Sequence, residues 1–301
     1  MSLFLAAGKR CRSNLVPGKP LIAPNYVSAG FSLATILCWG SADFLGGMAS
    51  KTADSFLVTT LAHASALTVM SGVALLAGAP FPSTGPMLWA LVAGASGGVA
   101  LAVFYRALAA GHMGLNAPVA ALMAAAIPVA FAFTVEGIPH PLQVTGFVLA
   151  GLGIWSISKP DHVTGRPKGL GMTVLAGLGF AGFFLCINQT GNSSALWSAA
   201  LSRCMALLLV AIVLLAKWRR GPVLTRFAWL GLLGGVLDVS GTAFFIRADQ
   251  TGRLDVSVVL SSLYPMITVV LAMCFLKERF TRVKLAGIAA AIAAVPLIVM
   301  K

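Results

Sequence analysis

Ten long apolar blocks follow one another along the chain, and short segments rich in Gly, Pro or charged residues separate them. Most blocks hold about 20 residues, the length that an α-helix needs to cross the hydrocarbon core of a bilayer. The runs are too uniformly apolar for the alternating strands of a barrel, and helices satisfy their own backbone groups in lipid. The pattern predicts an all-α membrane protein with ten transmembrane helices, near residues 27–48, 55–77, 87–110, 115–136, 142–158, 169–189, 194–216, 227–248, 255–276 and 283–300.

Polar segments outside these blocks divide the chain into parts. Residues 1–26 hold four basic residues and three prolines, and they predict a flexible basic tail. Residues 159–168 predict a connecting loop between a first half, 27–158, and a second half, 169–301. The charged run 277–284 cannot lie in hydrocarbon, so it separates the ninth helix from the tenth.

Composition excludes a soluble protein, because 58% of the residues are hydrophobic, 10% are charged and the mean hydropathy is +0.93. The five cysteines form no CxxC pair, which indicates neither a disulfide framework nor a metal site. The net charge is +13, but most Lys and Arg residues lie between the apolar blocks, where they orient helices and contact lipid headgroups. We therefore expect membrane lipids as partners, no nucleic acid and no cofactor.

The two halves of the chain resemble each other. Because each half holds five helices, an odd number, the two copies must cross the membrane in opposite directions. Inverted repeats of this kind are typical of secondary transporters, whose substrate site lies near the midplane between the repeats. The prediction of two inverted five-helix repeats rests on a shift of about 141 positions, which aligns Gly94, Phe104, Arg106, Ala107, Gly111, Leu122 and Gly146 with Gly235, Phe245, Arg247, Ala248, Gly252, Leu263 and Gly287.

Several segments resemble the EamA family of the drug/metabolite transporter superfamily. The segment 38–44, Cys-Trp-Gly-Ser-Ala-Asp-Phe, resembles the first-helix signature of that family, and 104–108 resembles the end of its third helix. In the second half, 246–248, Tyr264-Pro265 and 276–279 resemble the corresponding positions. The resemblance covers residues 27–300 and implies a ten-helix permease for small metabolites or drugs that has no enzymatic activity. The chain departs from the family at His63, where Arg is common, and in the turn after Val135, which lacks the usual basic residue.

Four ionisable residues lie well inside the predicted helices, where a charge costs about 2.5–3.5 kcal/mol at the bilayer centre. At 1.5 Å per residue, Arg203 and Asp238 lie roughly 14–15 Å from the same face, so we expect them to be partners. Asp43 and His63 lie roughly 8–12 Å from the opposite face, so each half holds one acid and one base at compatible depths. Each pair either orients helices or takes part in substrate binding and coupling.

Two aromatic residues complete the candidate site. Trp39 lies one turn before Asp43 on the same helix face, where it either contacts a substrate or packs against other helices. Tyr264 offers a hydroxyl beside Pro265 in the ninth helix, and broken helices at the midplane form transporter sites, although a simple kink is the favoured interpretation for Pro265 as for Pro118 and Pro128. The candidate substrate-binding or coupling residues are Trp39, Asp43, His63, Arg203, Asp238 and Tyr264.

The segment Gly94-Ala95-Ser96-Gly97-Gly98 matches a nucleophile-elbow pattern and resembles the Gly-x-Ser-Gly of rhomboid intramembrane proteases. An intramembrane serine hydrolase that uses Ser96 and His63 is therefore the alternative function. No strand precedes the motif, and Gly94 with Gly98 has the spacing of a small-residue packing face, as Gly231 has with Gly235. This spacing favours helix packing over catalysis.

The sequence predicts a secondary transporter that moves a small-molecule substrate across the inner membrane by alternating access, with export as the expected direction. No phosphate loop is present, so the energy must come from a gradient, and a proton carried by Asp43 or Asp238 is the expected coupling ion. The sequence does not choose between a monomer and a homodimer.

The loops also predict an orientation. One face, called the basic face below, collects twelve loop Lys and Arg residues, and the other face collects six, four of them in the N-terminal tail. The positive-inside rule predicts that the basic face is cytoplasmic and that both termini lie outside, although the basic tail favours the reverse. The basic face holds Lys51, Lys159, Arg166, Lys168, Lys217, Arg219, Arg220, Arg226, Lys277, Arg279, Arg282 and Lys284.

Overall fold

A computed structural model describes residues 24–110, 113–158, 169–216, 229–276 and 281–300. All regular secondary structure in these ranges is helical. The helices are α1 (Pro24–Ala49), α2 (Ser55–Leu76), α3 (Thr84–Ala110), α4 (Met113–Val135), α5 (Pro141–Ser158), α6 (Leu170–Asn188), α7 (Ala195–Ala216), α8 (Trp229–Thr251), α9 (Leu254–Ser261), α10 (Pro265–Leu276) and α11 (Arg282–Val299).

These helices correspond to the ten predicted spans. Within the described ranges, nine segments are long and apolar enough to cross a membrane, and α5 is a shorter apolar helix. One of the nine, Leu254–Leu276, consists of α9 and α10. The prediction of an all-α membrane protein is confirmed. The predicted connecting loop 159–168 and most of the predicted flexible tail lie outside the described residues, and Pro24 already belongs to α1.

The predicted end of the eighth helix at residue 248 was too early. Helix α8 continues to Thr251, although Asp249, Gln250 and Thr251 are polar. These side chains have partners: the Asn188 amide donates to Asp249 (3.0 Å), and the Gln250 amide donates to the carbonyls of Gly191 and Ser193 (2.8 Å each). In the sequence these polar residues mark the end of the apolar block. In the structure the helix continues through them, and their side chains are hydrogen-bonded to neighbouring residues.

The ninth span is broken near its middle, at Tyr264-Pro265, where the sequence favoured a simple kink. Helix α9 ends at Ser261, residues 262–264 form a turn, and Pro265 begins α10. Proline lacks the backbone N–H that would continue the helix, whereas it is tolerated in a first turn. Helix α4, in contrast, remains helical through both Pro118 and Pro128.

The helices pack mainly across the two halves of the chain. Helix α1 packs against α8, α3 packs against α6 and α7, and α2 packs against α7 and α8. Helices α5 and α11 form a separate pair, while α4 contacts α6 and the α9–α10 span. The middle of the molecule is therefore enclosed by helices from both halves.

Glycines allow two of these crossings to be close. A Cβ atom at Gly94 would overlap the carbonyl oxygen of Ser202 in α7, and one at Gly98 would overlap Ala206. In the second half, a Cβ at Gly235 would overlap the carbonyl oxygen of Ala62 in α2. The prediction that Gly94 and Gly98 form a packing face is confirmed, because small residues let helix backbones approach.

Candidate functional site

A cavity lies in the middle of the molecule, between helices of both halves. It contains about 520 Å³ of space that no protein atom fills, including open space at its mouth. Helices α1, α3 and α4 contribute from the first half, and α6, α7, α8 and the 262–264 turn contribute from the second. The described lining residues are the aromatic Trp39, Phe180, Phe183, Phe184 and Tyr264, the polar Asp43, Arg203, Asp238 and Thr242, and Gly97, Leu101 and Ala124.

Five of the six residues singled out from the sequence line this cavity, namely Trp39, Asp43, Arg203, Asp238 and Tyr264. They come from α1, α7, α8 and the 262–264 turn, which are far apart in the chain. The structure therefore brings together side chains that the chain sequence separates widely. Their role in substrate binding or coupling remains a prediction.

Arg203 and Asp238 form the expected ion pair. Nη2 of Arg203 lies 3.0 Å from Oδ2 of Asp238, and the two side chains are 5% and 12% exposed. The Arg203 guanidinium also donates to the hydroxyl of Thr242, and its Cζ lies 5.9 Å from the centroid of the Phe183 ring. The Arg203 guanidinium is thus paired with a carboxylate and also contacts a hydroxyl and an aromatic ring.

Trp39 is fixed at the wall of the cavity by one hydrogen bond and three aromatic neighbours. Its indole Nε1 donates to the backbone carbonyl of Asp238 (3.1 Å). The centroid of its ring lies 5.8 Å from that of Phe184, 5.6 Å from that of Phe245 and 6.1 Å from that of Tyr264. The rings of Trp39 and Tyr264 are nearly perpendicular. Such contacts add about 0.5–1.5 kcal/mol per pair beyond area burial, so the cavity wall is preorganised.

Asp43 differs from the other charged lining residues. Its side chain is buried, yet none of the described residues forms an ion pair or a hydrogen bond with its carboxylate. The described charge that acts on it is the carboxylate of Asp238, which repels it. Among the described residues, Asp43 is therefore a carboxylate on the cavity wall without a counter-ion.

Tyr264 lies where the ninth span breaks. Its backbone carbonyl faces Gly40 of α1, since a Cβ atom at Gly40 would lie 2.5 Å from that oxygen. One turn further, the hydroxyl of Thr268 donates to the carbonyl of Gly40 (3.0 Å). The broken span is thereby attached to α1, and the Tyr264 ring lines the cavity next to Trp39.

The expected pairing of His63 with Asp43 is wrong. His63 is completely buried, does not line the cavity, and lies beside the backbone of Gly98 in α3, close to Arg203. Asp43 is not among the described groups that act on it. Helices α1 and α2 barely contact each other, because each packs mainly on the second half of the chain.

The catalytic alternative also required Ser96 and His63 to meet. Instead, the hydroxyl of Ser96 donates to the backbone carbonyl of Gly179 in α6 (2.7 Å) and lies against Gly182. His63 contacts the neighbouring helix face at Gly98. The arrangement gives Ser96 a packing role between α3 and α6, and no observation favours a hydrolase.

Sequence reasoning missed the α6 side of the cavity and Thr242. Phe180, Phe183 and Phe184 lie in a helix that has no charged residue, so nothing in α6 distinguishes a cavity face from a lipid face. Thr242 carried a usable signal, because it lies four residues after Asp238 and therefore shares its helix face.

A second polar cluster joins the two halves at the face opposite the basic face. Arg253 donates to the carbonyls of Glu136 (3.1 Å) and Gly137 (2.6 Å), and it pairs with Asp255 (2.8 Å). Its guanidinium also lies 3.8 Å from the Glu136 carboxylate. The hydrogen bond to Asp255 raises the pKa of Arg253 above its usual value. Arg253 thus lies beside the first-half turn that lacks its own basic residue.

Comparisons with known proteins agree with this architecture. Residues 167–300 match the model of the EamA-like transporter family. No curated protein sequence matches the chain significantly. A solved chain described only as the crystal structure of a protein superposes with a TM-score of 0.68, at 16% identity, over 90% of this chain and 95% of its own length. That likeness concerns the fold alone, and it extends over both halves.

Proposed function

We propose that this chain is a secondary transporter of a small metabolite or drug-like molecule, on the premise that residues 167–300 match the model of the EamA-like transporter family. The observation that carries the proposal is the cavity between the two halves, with a buried ion pair and an unpaired carboxylate on its wall. Buried ionisable groups inside a membrane mark substrate and ion pathways. Transport proceeds by alternating access of this cavity to the two faces, and export is the proposed direction.

We propose that residues 27–158 and 169–301 are two inverted repeats. The helix contacts support a two-fold relation in which α1, α2 and α3 correspond to α6, α7 and α8. Helix α3 packs on α6 and α7, and its counterpart α8 packs on α1 and α2. The glycine crossings follow the same relation, with Gly94 against α7 and Gly235 against α2. Two halves of five spans each cross the membrane in opposite directions, and substrate sites lie between such repeats.

The Arg253 cluster fits a gate between the repeats. Its hydrogen bonds join the end of α4 to the start of α9, so they connect the two halves at the face opposite the basic face. Access from that face requires the two halves to separate there, which breaks these bonds. In this proposal, the cluster holds the two halves together at that face until they separate.

Asp43 is the proposed proton carrier. A carboxylate without a counter-ion is tolerated in apolar surroundings when it carries a proton, whereas Asp238 has Arg203 as its partner. Asp238, Arg203, Tyr105 and Tyr264 are the titratable or charged groups near it. Gradient-driven transport then requires Asp43 to gain a proton on one face and release it on the other.

The test is a metabolite-uptake screen in proteoliposomes, with and without an imposed pH gradient. We expect the wild-type protein to accumulate a substrate only when the gradient is present, and Asp43→Asn to lose about 90% or more of that accumulation because Asn cannot carry the proton. A normal yield of monodisperse protein in detergent checks that the variant is folded. Full gradient-driven uptake by Asp43→Asn would assign coupling to another residue, and no uptake of any metabolite would refute transport.

We propose that the protein lies in the cell inner membrane with its basic face in the cytoplasm. The loop Lys and Arg residues support this orientation, with both termini outside. In a variant without native cysteines, a cysteine at exposed Ile138 should react with an impermeant maleimide in intact cells, and one at exposed Lys51 should react only after lysis. The reverse pattern would invert the topology.

A further inference from the structure

The formal charge of the cavity lining is negative. Among its described lining residues, Asp43, Arg203 and Asp238 are the acidic and basic ones, and with both carboxylates deprotonated, two carboxylates against one guanidinium leave a net charge of −1. In a buried site, this excess acts more strongly on a ligand than it would at a surface. The cavity therefore repels anions, even though the chain as a whole has a net charge of +13.

Arg203 does not provide a binding site for an anion in this cavity. Its guanidinium is paired with Asp238 at 3.0 Å, donates to Thr242, and has the Phe183 ring against it. A substrate carboxylate or phosphate that displaced Asp238 from Arg203 would leave a second buried carboxylate unpaired. The positive charge of Arg203 is thus paired with the Asp238 carboxylate inside the protein.

The negative charge of Asp43, in contrast, is free to contact a ligand. Its carboxylate lines the cavity without an ion pair or hydrogen bond from the described residues. Trp39, one turn earlier on the same helix, lines the cavity beside it, and Tyr264 and Phe184 pack against that indole. A carboxylate beside several aromatic rings is the arrangement that binds organic cations, since ring faces attract positive charge by about 0.5–2 kcal/mol each.

We propose that the cavity takes organic cations, namely an ammonium group attached to an apolar or aromatic body, with Asp43 as the counter-ion and Trp39 and Tyr264 as the aromatic wall. The proposal rests on the proposed transport function, because it names the substrate class of the same cavity. The apolar body would lie against Phe180 and Phe184, which line the same space. A proton and an ammonium group then compete for one carboxylate, which links cation export to proton entry.

Three probes of nearly equal shape test this charge selectivity without any transport step. Benzyltrimethylammonium carries a permanent positive charge, neopentylbenzene is its neutral isostere with carbon in place of nitrogen, and phenylmethanesulfonate carries a negative charge. Binding to purified protein in detergent is measured by calorimetry or by quenching of tryptophan fluorescence. We expect the cation to bind about tenfold or more tightly than either other probe, the ratio that about 1.4 kcal/mol provides.

Variants then identify the counter-ion. Asp43→Asn should weaken binding of benzyltrimethylammonium about tenfold or more and leave neopentylbenzene unaffected, because only the cation uses the carboxylate. Asp54→Asn is the matched control, since Asp54 is an exposed N-cap of α2 outside the cavity and Asn caps helices equally well. Trp39→Leu should weaken the binding of benzyltrimethylammonium more than the binding of neopentylbenzene.

Each outcome decides the proposal. Equal affinity of wild-type protein for the cation and its neutral isostere would overturn it even if Asp43→Asn fails to fold, and so would tighter binding of the sulfonate. Loss of cation binding in Asp54→Asn as well as in Asp43→Asn would assign the effect to surface charge. Selective cation binding without uptake in proteoliposomes would support the ligand class and refute transport, whereas pH-driven uptake of an anion would retain transport and refute the ligand class.

Discussion

Asp238→Asn is expected to destabilise the protein by about 3–5 kcal/mol, the cost of leaving one member of a buried ion pair without its partner. Arg203 has a side chain that is 5% exposed, and its guanidinium lies 3.0 Å from the Asp238 carboxylate. Asn at position 238 retains the shape but removes the charge, so the guanidinium would remain buried with Thr242 and Phe183 as its contacts. The measurement is the yield of monodisperse protein in detergent together with its thermal midpoint.

Asp43→Asn is the matched control for that variant. It makes the same chemical change in the same cavity, but Asp43 has no described cation to leave unpaired, so we expect normal yield and an unchanged midpoint. The double variant Arg203→Met with Asp238→Asn should recover most of the lost stability, because no buried charge remains. Wild-type stability of Asp238→Asn alone would show that Arg203 finds another partner and that the pair is not a structural clamp.

The pairing of Arg203 with Asp238 was predictable from the sequence because both residues are costly in lipid and their depths coincide. Counting residues from the helix ends gives a height in the membrane, and two opposite charges at one height have a strong reason to meet. The count does not give the direction in which a side chain leaves its helix. That is why the same reasoning paired Asp43 with His63, whereas His63 faces α3 and the neighbourhood of Arg203.

The aromatic wall from α6 was not predictable for a different reason. Helix α6 is apolar throughout, so its sequence does not distinguish residues that face lipid from those that face the core. Phe180, Phe183 and Phe184 become cavity residues only because α6 packs on α3 and α4. In a membrane protein the lipid-facing and buried surfaces are both apolar, and hydrophobic periodicity loses the information that it carries in soluble helices.

The ten spans were more accessible to sequence reasoning than the break in the ninth, where a simple kink was expected. Span length follows from bilayer thickness, and the break follows from the missing N–H of Pro265. Pro118 and Pro128 illustrate the limit of that argument, since α4 passes both without ending. A proline removes one hydrogen bond, and packing around the helix decides whether the helix ends there.

Gly94→Ala is expected to destabilise the protein by about 1–3 kcal/mol, the usual cost of forcing atoms into a packed interface. The added Cβ would overlap the carbonyl oxygen of Ser202, and a backbone group in the middle of α7 cannot move aside as a flexible side chain does. The two helices would have to separate, and Arg203 follows Ser202 directly, so the ion pair would shift with the crossing. Gly235→Ala should have a similar effect, because its Cβ would overlap the carbonyl oxygen of Ala62.

Gly72→Ala in α2 provides the control, since nothing lies within 4 Å of the position of its Cβ. It should be neutral or stabilising by up to about 1 kcal/mol, because Ala favours the helix over Gly. Thermal midpoints of the three variants in detergent give the comparison. If the thermal midpoints of Gly94→Ala and Gly235→Ala were no lower than that of Gly72→Ala, the close crossings of α3 with α7 and of α8 with α2 would be wrong. The placement of Arg203 at the same depth as Asp238 depends on these crossings and would be wrong as well.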